Sequence, residues 1–132
     1  MTTLYEVLYA STLALTAQVT QVAGIVTAAR TRNAARDITG LLVFDGMHFC
    51  QQIEGTRNDV LKLMEQIRTD PRHMDVTVVH EGSLIERRFE RFAMGYVASG
   101  DEDALMRIGQ GDGEQALEQF LALIPTLALD PC

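Results

Sequence analysis

The sequence predicts an α+β fold, with elements in the order β-α-β-β-α-β followed by an additional fifth strand and a C-terminal helical segment. Three observations carry that expectation. Short apolar runs of strand composition alternate with two segments whose apolar residues recur at helical spacing. The dipeptide Asp45-Gly46 separates two of the runs as a tight hairpin turn does, because both residues tolerate positive φ. The chain has 132 residues, 47% hydrophobic and 22% charged, enough for one core and too few for two substantial ones.

Leu4 to Ala10 is apolar and aromatic with Glu6 as its one charge, and reads as the first strand. From Thr16, the residues Val19, Val22, Ala23, Val26 and Ala29 trace a helical stripe that ends near Arg32 and Asn33. Ile38 to Phe44 is apolar on both alternating faces, as in a central strand covered on both sides, and Met47 to Ile53 pairs back on it. Thr56 is placed to cap a second helix, with Asp59 three residues on and Val60, Leu61, Met64 and Ile67 as its apolar stripe. That helix stops by Asp70, because Pro71 disfavours helical geometry in the residue before it. Val76 to His80 and Phe92 to Ala98 follow as strands, separated by the charged stretch Glu86 to Arg91. After Gly100, Asp103 to Ile108 and Glu114 to Ile124 read as short amphipathic helices.

This order is the ferredoxin-like one, with its two main helices on one sheet face. Apolar residues on the other face need a cover too, from the C-terminal helices or from a second subunit. The expected division is a core over residues 1–98 and a helical extension over 99–132, packed on the sheet or on a partner subunit.

Charge narrows the classes of function. A formal net charge of -7 repels a phosphate backbone, so nucleic acid is not an expected partner; Arg30, Arg32 and Arg36 form a local basic cluster. No apolar run approaches the roughly 20 residues that cross a bilayer, and the N-terminus has neither the basic stretch nor the apolar block of a signal peptide. A cytoplasmic protein without membrane attachment is expected. Cys50 and Cys132 supply neither a disulfide framework nor metal-ligand spacing, so both are expected as free thiols and no metal site is expected.

Some polar residues disturb the apolar pattern. Strand alternation puts Gln51 on one face with Phe49 and Ile53. An unpaired buried amide costs about 1–3 kcal/mol, so Gln51 needs a hydrogen-bond partner unless that face is exposed; backbone or water are ordinary partners. Tyr9 shares a strand face with Tyr5, Val7 and Ser11, which puts a phenol at the carboxyl end of the first strand. Taken singly, Tyr9 is an ordinary core tyrosine, Asn33 an ordinary helix C-cap, and Phe92 and Met94 the core face of the last strand.

Jointly, the segments are more specific: Leu4-Tyr5, Tyr9-Ala10-Ser11, Asn33-Ala34, Ile38-Thr39-Gly40-Leu41-Leu42, Phe49-Cys50-Gln51, Glu54-Gly55, Asp70-Pro71-Arg72-His73, and Arg87-Arg88-Phe89 before Phe92-Ala93-Met94. From Leu4 to Val97 the chain resembles a BLUF domain, a blue-light sensor that uses flavin. The resemblance implies a flavin ring held between the two main helices above the sheet. It identifies Tyr9 with the redox-active tyrosine, Gln51 with the glutamine that bridges phenol and flavin, and Met94 with the methionine near that glutamine. It identifies Asn33 with the asparagine that hydrogen-bonds the pyrimidine edge, and puts Arg32, Gln66, Asp70 and Arg72 near that edge or the chain leading to phosphate. Ile25, Phe49 and Ile67 would pack on the ring, with Ser11 and His73 completing the binding residues. FAD is the implied cofactor, with FMN or riboflavin as alternatives.

One departure from the family pattern matters most. Many members carry a tryptophan two residues before the methionine; here Phe92 stands there and the chain has no tryptophan. Ala10 likewise offers no side-chain hydrogen bond beside Tyr9. The resemblance implies a sensor without net turnover, hence no enzyme, acting on a downstream protein in trans or through rearrangement of a homo-oligomer. Three rivals share the topology. An acylphosphatase-type hydrolase needs a glycine-rich cradle after the first strand, and Ala10 to Gln18 holds neither glycine nor arginine. An RNA-recognition module needs sheet aromatics and positive charge. A non-catalytic dimerisation module asks for nothing that the sequence lacks.

Overall fold

The computed structural model describes residues 4–14, 31, 37–96, 104–111 and 113–130, without the side chains of 94, 96 and 128–130. The helix expected between Thr16 and Asn33 lies outside these apart from Thr31. The described strands are β1 (Leu4–Leu13), β2 (Thr39–Phe44), β3 (His48–Thr56), β4 (His73–Leu84), β5 (Phe92–Tyr96) and β6 (Ala128–Asp130). They form one sheet in the order β4-β1-β3-β2-β5-β6. The first four follow the ferredoxin-like order, each antiparallel to its neighbours; β5 then runs parallel to β2 and β6 antiparallel to β5. Strand β6 is one more than the sequence predicts, because three residues after a proline-containing 3-10 turn over Ile124–Thr126 are too few to show a period.

Local chemistry sets the boundaries. The β2–β3 turn spans Asp45, Gly46 and Met47, one residue longer than expected, so β3 starts at His48 and Met47 is exposed. Asp45 Oδ1 accepts from the backbone N–H of Met47 at 2.9 Å and of His48 at 2.6 Å, which closes the turn through a side chain. Helix α1 (Arg57–Thr69) begins where Thr56 accepts from the Asp59 N–H at 3.2 Å and donates to its carboxylate at 2.9 Å. It ends at Asp70, extended at ψ 118 ahead of Pro71. The buried stripe is Val60, Leu63, Met64 and Ile67; Leu61, expected there, is 38% exposed because it lies one residue off the i, i+3, i+4, i+7 series. Strand β4 is longer than predicted and pairs with β1 along its whole length through two register shifts.

The two sheet faces carry separate cores. On one, Val7, Tyr9, Ile38 and Ile53 pack against Val60, Leu63, Met64 and Ile67 of α1. On the other, Leu8, Leu41, Val43, Cys50 and Val79 pack against Leu105, Ile108, Ala116, Leu117 and Phe120 of α2 (Ala104–Gln110) and α3 (Gly113–Leu123). Of the two covers expected for that face, the C-terminal helices are in contact with it. Burying a side chain such as Phe120 contributes roughly 1.5–3 kcal/mol. Cys50 is a buried free thiol whose pKa burial pushes up, which keeps it out of the reactive thiolate form. Among the described residues no helix is long and apolar enough to cross a membrane, and no cluster of side chains is disposed to hold a metal.

The second face also holds charge. Glu6, Gln52 and Glu54 are 2%, 0% and 0% exposed. The Arg88 guanidinium grips Glu6 with Nε at 2.8 Å and Nη2 at 3.1 Å. Glu54 accepts from the Thr39 hydroxyl at 2.8 Å and from the backbone N–H groups of Arg88 and Phe89, each at 3.0 Å. Burial pushes the Glu6 carboxyl up, but hydrogen bonds from Arg88 and Gln52, with the charges of Arg88 and His80, outweigh it and hold Glu6 below its ordinary value.

Two outcomes follow. Gly40 has φ +150, and a Cβ there would lie 2.0 Å from the Gln52 carbonyl oxygen. Gly40→Ala should lower stability by roughly 2–4 kcal/mol, combining backbone strain and overpacking, in urea titrations. A depressed carboxyl pKa stabilises the fold above the unfolded-state value, and that stability is lost as pH falls through the lower folded-state value. The urea midpoint of the wild type should therefore drop across the acid range with a steeper slope than that of Glu6→Gln; equal slopes would remove Glu6 as a source.

Candidate functional site

Strand pairing builds a row of residues across the sheet. Tyr9 of β1 lies opposite Gln51 of β3, Gln51 opposite Leu42 of β2, and Leu42 opposite Met94 of β5. Directly opposed residues share a sheet face, so Tyr9 and Gln51 lie together on the face covered by α1. Tyr9 is 1% and Gln51 3% exposed, and the Tyr9 hydroxyl donates to Gln51 Oε1. The amide thus has the partner that its burial demands, and it is a side chain rather than backbone or water. With Oε1 engaged by the phenol, the amide nitrogen remains as the donor end of Gln51.

An aromatic cluster extends the row toward the turn between α1 and β4. Phe49 stacks on Phe44 at 4.6 Å between ring centroids and meets the His73 ring at 4.8 Å. His73 lies edge-on to Tyr9 at 6.3 Å, and its Nδ1 is 2.8 Å from Ser11 Oγ. Tyr9, Ser11, Phe49, Gln51 and His73 are thus brought together, with Ile67 of α1 in the same core as Tyr9.

The turn itself is braced. Arg72 donates to the Asp70 carboxylate through Nε at 3.0 Å, Nη2 at 2.7 Å and its backbone N–H at 2.9 Å. Those hydrogen bonds from Arg72 hold the Asp70 carboxyl below its ordinary value against the opposing effect of burial. The Arg72 carbonyl accepts from Ala14 N–H at 2.9 Å, tying the turn to the end of β1. Asp70 and Arg72 are thus paired with each other, and Gln66 faces outward from α1. Ile25, Arg32 and Asn33 lie outside the described residues, and Met94 is described by its backbone alone.

The polar set on the opposite face, buried Glu6, Gln52 and Glu54 with the more exposed Arg88, is absent from the sequence-based site. Its signal is visible in retrospect: Glu6 is the one charge in an apolar strand, and Gln52 and Glu54 alternate on the face opposite Gln51.

Known proteins resemble this chain in sequence and in fold. The family model described as "BLUF: Sensors of blue-light using FAD" matches residues 4–95. A photoactivated adenylate cyclase subunit beta from Euglena gracilis is 46% identical over 63 residues, which is 48% of this chain and 7% of that protein. The solved dark-state structure of BlrB, a BLUF protein, superposes with a TM-score of 0.76 at 29% identity, covering 94% of this chain and 96% of that one. Klebsiella pneumoniae BlrP1, solved with FMN and cyclic diGMP, matches with a TM-score of 0.66 at 28% identity over 89% of this chain and 29% of that one. With the family model spanning the first five strands up to the last residue but one of β5, the chain belongs to the BLUF family of blue-light sensors that use a flavin.

Proposed function

We propose that this protein is a blue-light photoreceptor whose flavin reports excitation through Tyr9 and Gln51 to a separate partner protein. The observation that supports it is the buried hydrogen bond from the Tyr9 hydroxyl to Gln51 Oε1, made between adjacent strands in a row that ends at Met94. The donor set fits a flavin: a phenol, an amide and a hydroxyl flanked by Phe49, Ile67 and other apolar side chains suit a flat ring with a polar edge. Tyr9, Gln51, Ser11, His73 and Met94 would face the ring region, and Asn33, Arg32, Gln66, Asp70 and Arg72 its pyrimidine edge or the chain leading to phosphate. Ile25, Phe49 and Ile67 would pack on it. When bound, a flavin supplies blue absorption and an excited state that takes up an electron and a proton.

The protein's own part is to hold and move hydrogen bonds. Tyr9 keeps its proton on the phenol oxygen, shared with Gln51 Oε1. Rotation or tautomerisation of the Gln51 amide exchanges its acceptor and donor ends, which reverses the hydrogen bond offered to Tyr9 and to the ring edge. The pair then has two arrangements, and anything that prefers one shifts the population toward it.

FAD is the flavin favoured by the family description, and the FMN named with BlrP1 makes FMN the alternative, with riboflavin third. The output is a conformational signal rather than turnover, passed in trans to a protein partner or through a homo-oligomer. A cytoplasmic location, with neither membrane nor nucleic acid as partner, fits the charge and the sequence. Residues 1–98 would form the flavin-binding core and 99–132 the extension that carries the signal.

The experiment is the absorption spectrum of the purified protein in darkness and after blue light. A reversible red shift is expected, with the flavin identified by mass after release. Tyr9→Phe removes the phenol proton and leaves the Gln51 oxygen without its donor, a loss of about 1–3 kcal/mol. It should keep the flavin and abolish the normal shift, as should Gln51→Leu. Protein that stays colourless with FAD, FMN and riboflavin would refute the reading; a normal shift in Gln51→Leu would reject the bridge.

A further inference from the structure

Strand β3 carries two glutamines back to back. Gln51 faces Tyr9, whereas the side chain of Gln52, wholly buried, lies on the opposite face, because successive strand side chains alternate. Gln52 Nε2 donates to Glu6 Oε1 at 3.2 Å and to Glu54 Oε1 at 2.9 Å. Both N–H groups are used, and the amide cannot be turned over without setting its oxygen against two carboxylates. Among the described residues, Gln52 Oε1 is the buried side-chain polar atom without a hydrogen-bond partner. A group held so firmly by one end is a positional constraint on β3.

The constraint continues to the output side. Glu54 holds the backbone N–H groups of Arg88 and Phe89, and Arg88 returns to Glu6, so the loop leading into β5 is fastened to β3 and β1. Arg87 adds a contact to Thr39 Oγ1 at 2.8 Å. Phe89 packs against the core formed with α2 and α3. Gly40 fixes the spacing at the same point, since β2 approaches the Gln52 carbonyl too closely for any side chain. Displacement of β3 beside Gln51 therefore cannot be absorbed between β2 and β3 and falls on the carboxylate contacts, whose charge-assisted hydrogen bonds depend steeply on distance.

We infer that Gln52 is a positioning residue of the light switch, coupling the strand of Gln51 through Glu6, Glu54 and Arg88 to the loop over residues 87–89 and the C-terminal helices. This rests on the photoreceptor reading above. The test compares flavin-loaded wild type and Gln52→Met, in darkness and under blue light, by absorption and by amide hydrogen exchange. The variant should keep the red shift, because the Gln52 side chain lies on the face away from the Tyr9–Gln51 pair, while the light-induced change in exchange at Arg87, Arg88 and Phe89 falls at least about fivefold, the population factor of losing even one of the two hydrogen bonds that Gln52 donates. A purely structural role would alter exchange equally in darkness and light. An undiminished light-induced change would overturn the inference.

If Gln52→Met fails to fold, infrared light-minus-dark spectra of the wild type with 13C-labelled glutamate decide the matter. A labelled carboxylate difference band that moves in Arg88→Lys supports the coupling; no such band in the wild type refutes it. Absence of the red shift in the wild type would instead bring down the photoreceptor reading, so the two failures are distinguishable.

Discussion

Strand β3 is buried on both faces, and its polar groups, Gln52 Oε1 apart, are satisfied by its neighbours. From Phe49 to Gly55 all its residues are buried, yet three of them are Gln51, Gln52 and Glu54. Each unpaired group of that kind costs about 1–3 kcal/mol, and an unpaired charge costs more. Much of the architecture answers this demand. Tyr9 is delivered by β1 to one face; Glu6 comes from β1, Thr39 from β2 and Arg88 from the loop before β5 to the other. Because side chains alternate, a slip of one residue in the β1–β3 register would put Tyr9 and Glu6 on the wrong faces at once. The polar residues therefore specify the register as well as the apolar ones do.

The two faces meet that demand with different chemistry. On the α1 face a neutral phenol and a neutral amide share one hydrogen bond, an arrangement that loses little when its donor and acceptor ends are exchanged. On the other face two carboxylates are held by a guanidinium, a hydroxyl, an amide and two backbone N–H groups. Removing ions from water opposes folding, and the pairing offsets that penalty only while the geometry is kept. The depressed pKa of Glu6 shows that pairing outweighs burial there. One face is thus suited to switching and the other to holding position, with a single peptide unit between Gln51 and Gln52.

Much of the fold was legible in the sequence because its elements are periodic. The cap at Thr56, the stop at Asp70 and the α1 stripe follow from local rules, with Leu61 misassigned because an apolar residue beside the stripe looks like part of it. The length of β4 was not legible: its residues alternate weakly, and pairing with β1 decides its ends. Nor was β6, whose three residues form a strand only beside β5. For the site, Gln51 signalled a need for a partner, but the partner's identity depends on a register that joins positions 42 residues apart. Tyr9 was assigned through resemblance, and geometry then brought it to Gln51. The network around Gln52 went unread because its members come from two strands and a loop, with Arg88 meeting Glu6 across 82 positions, and only the sheet register brings them together.

The lack of tryptophan gives that network more weight. Phe92 stands opposite Gly40 and is buried, and a phenyl ring offers no hydrogen-bond donor. At that position, therefore, β5 can contribute packing to the Tyr9–Gln51 row but not the directional contact an indole N–H would make. What ties β5 to the centre of the sheet is its parallel ladder with β2, the bond from Gly40 N–H to the Arg91 carbonyl at 3.3 Å, and the grip of Glu54 on Arg88 and Phe89 just before the strand begins. Two of these three are backbone contacts that follow the sheet as a whole. The third is the one that depends on a buried charge, and it originates two residues from Gln52 on the strand that carries Gln51. A change in hydrogen bonding on the α1 face can reach β5 without any side chain of β5 touching the site, provided β3 moves as a unit and Glu54 keeps its hold.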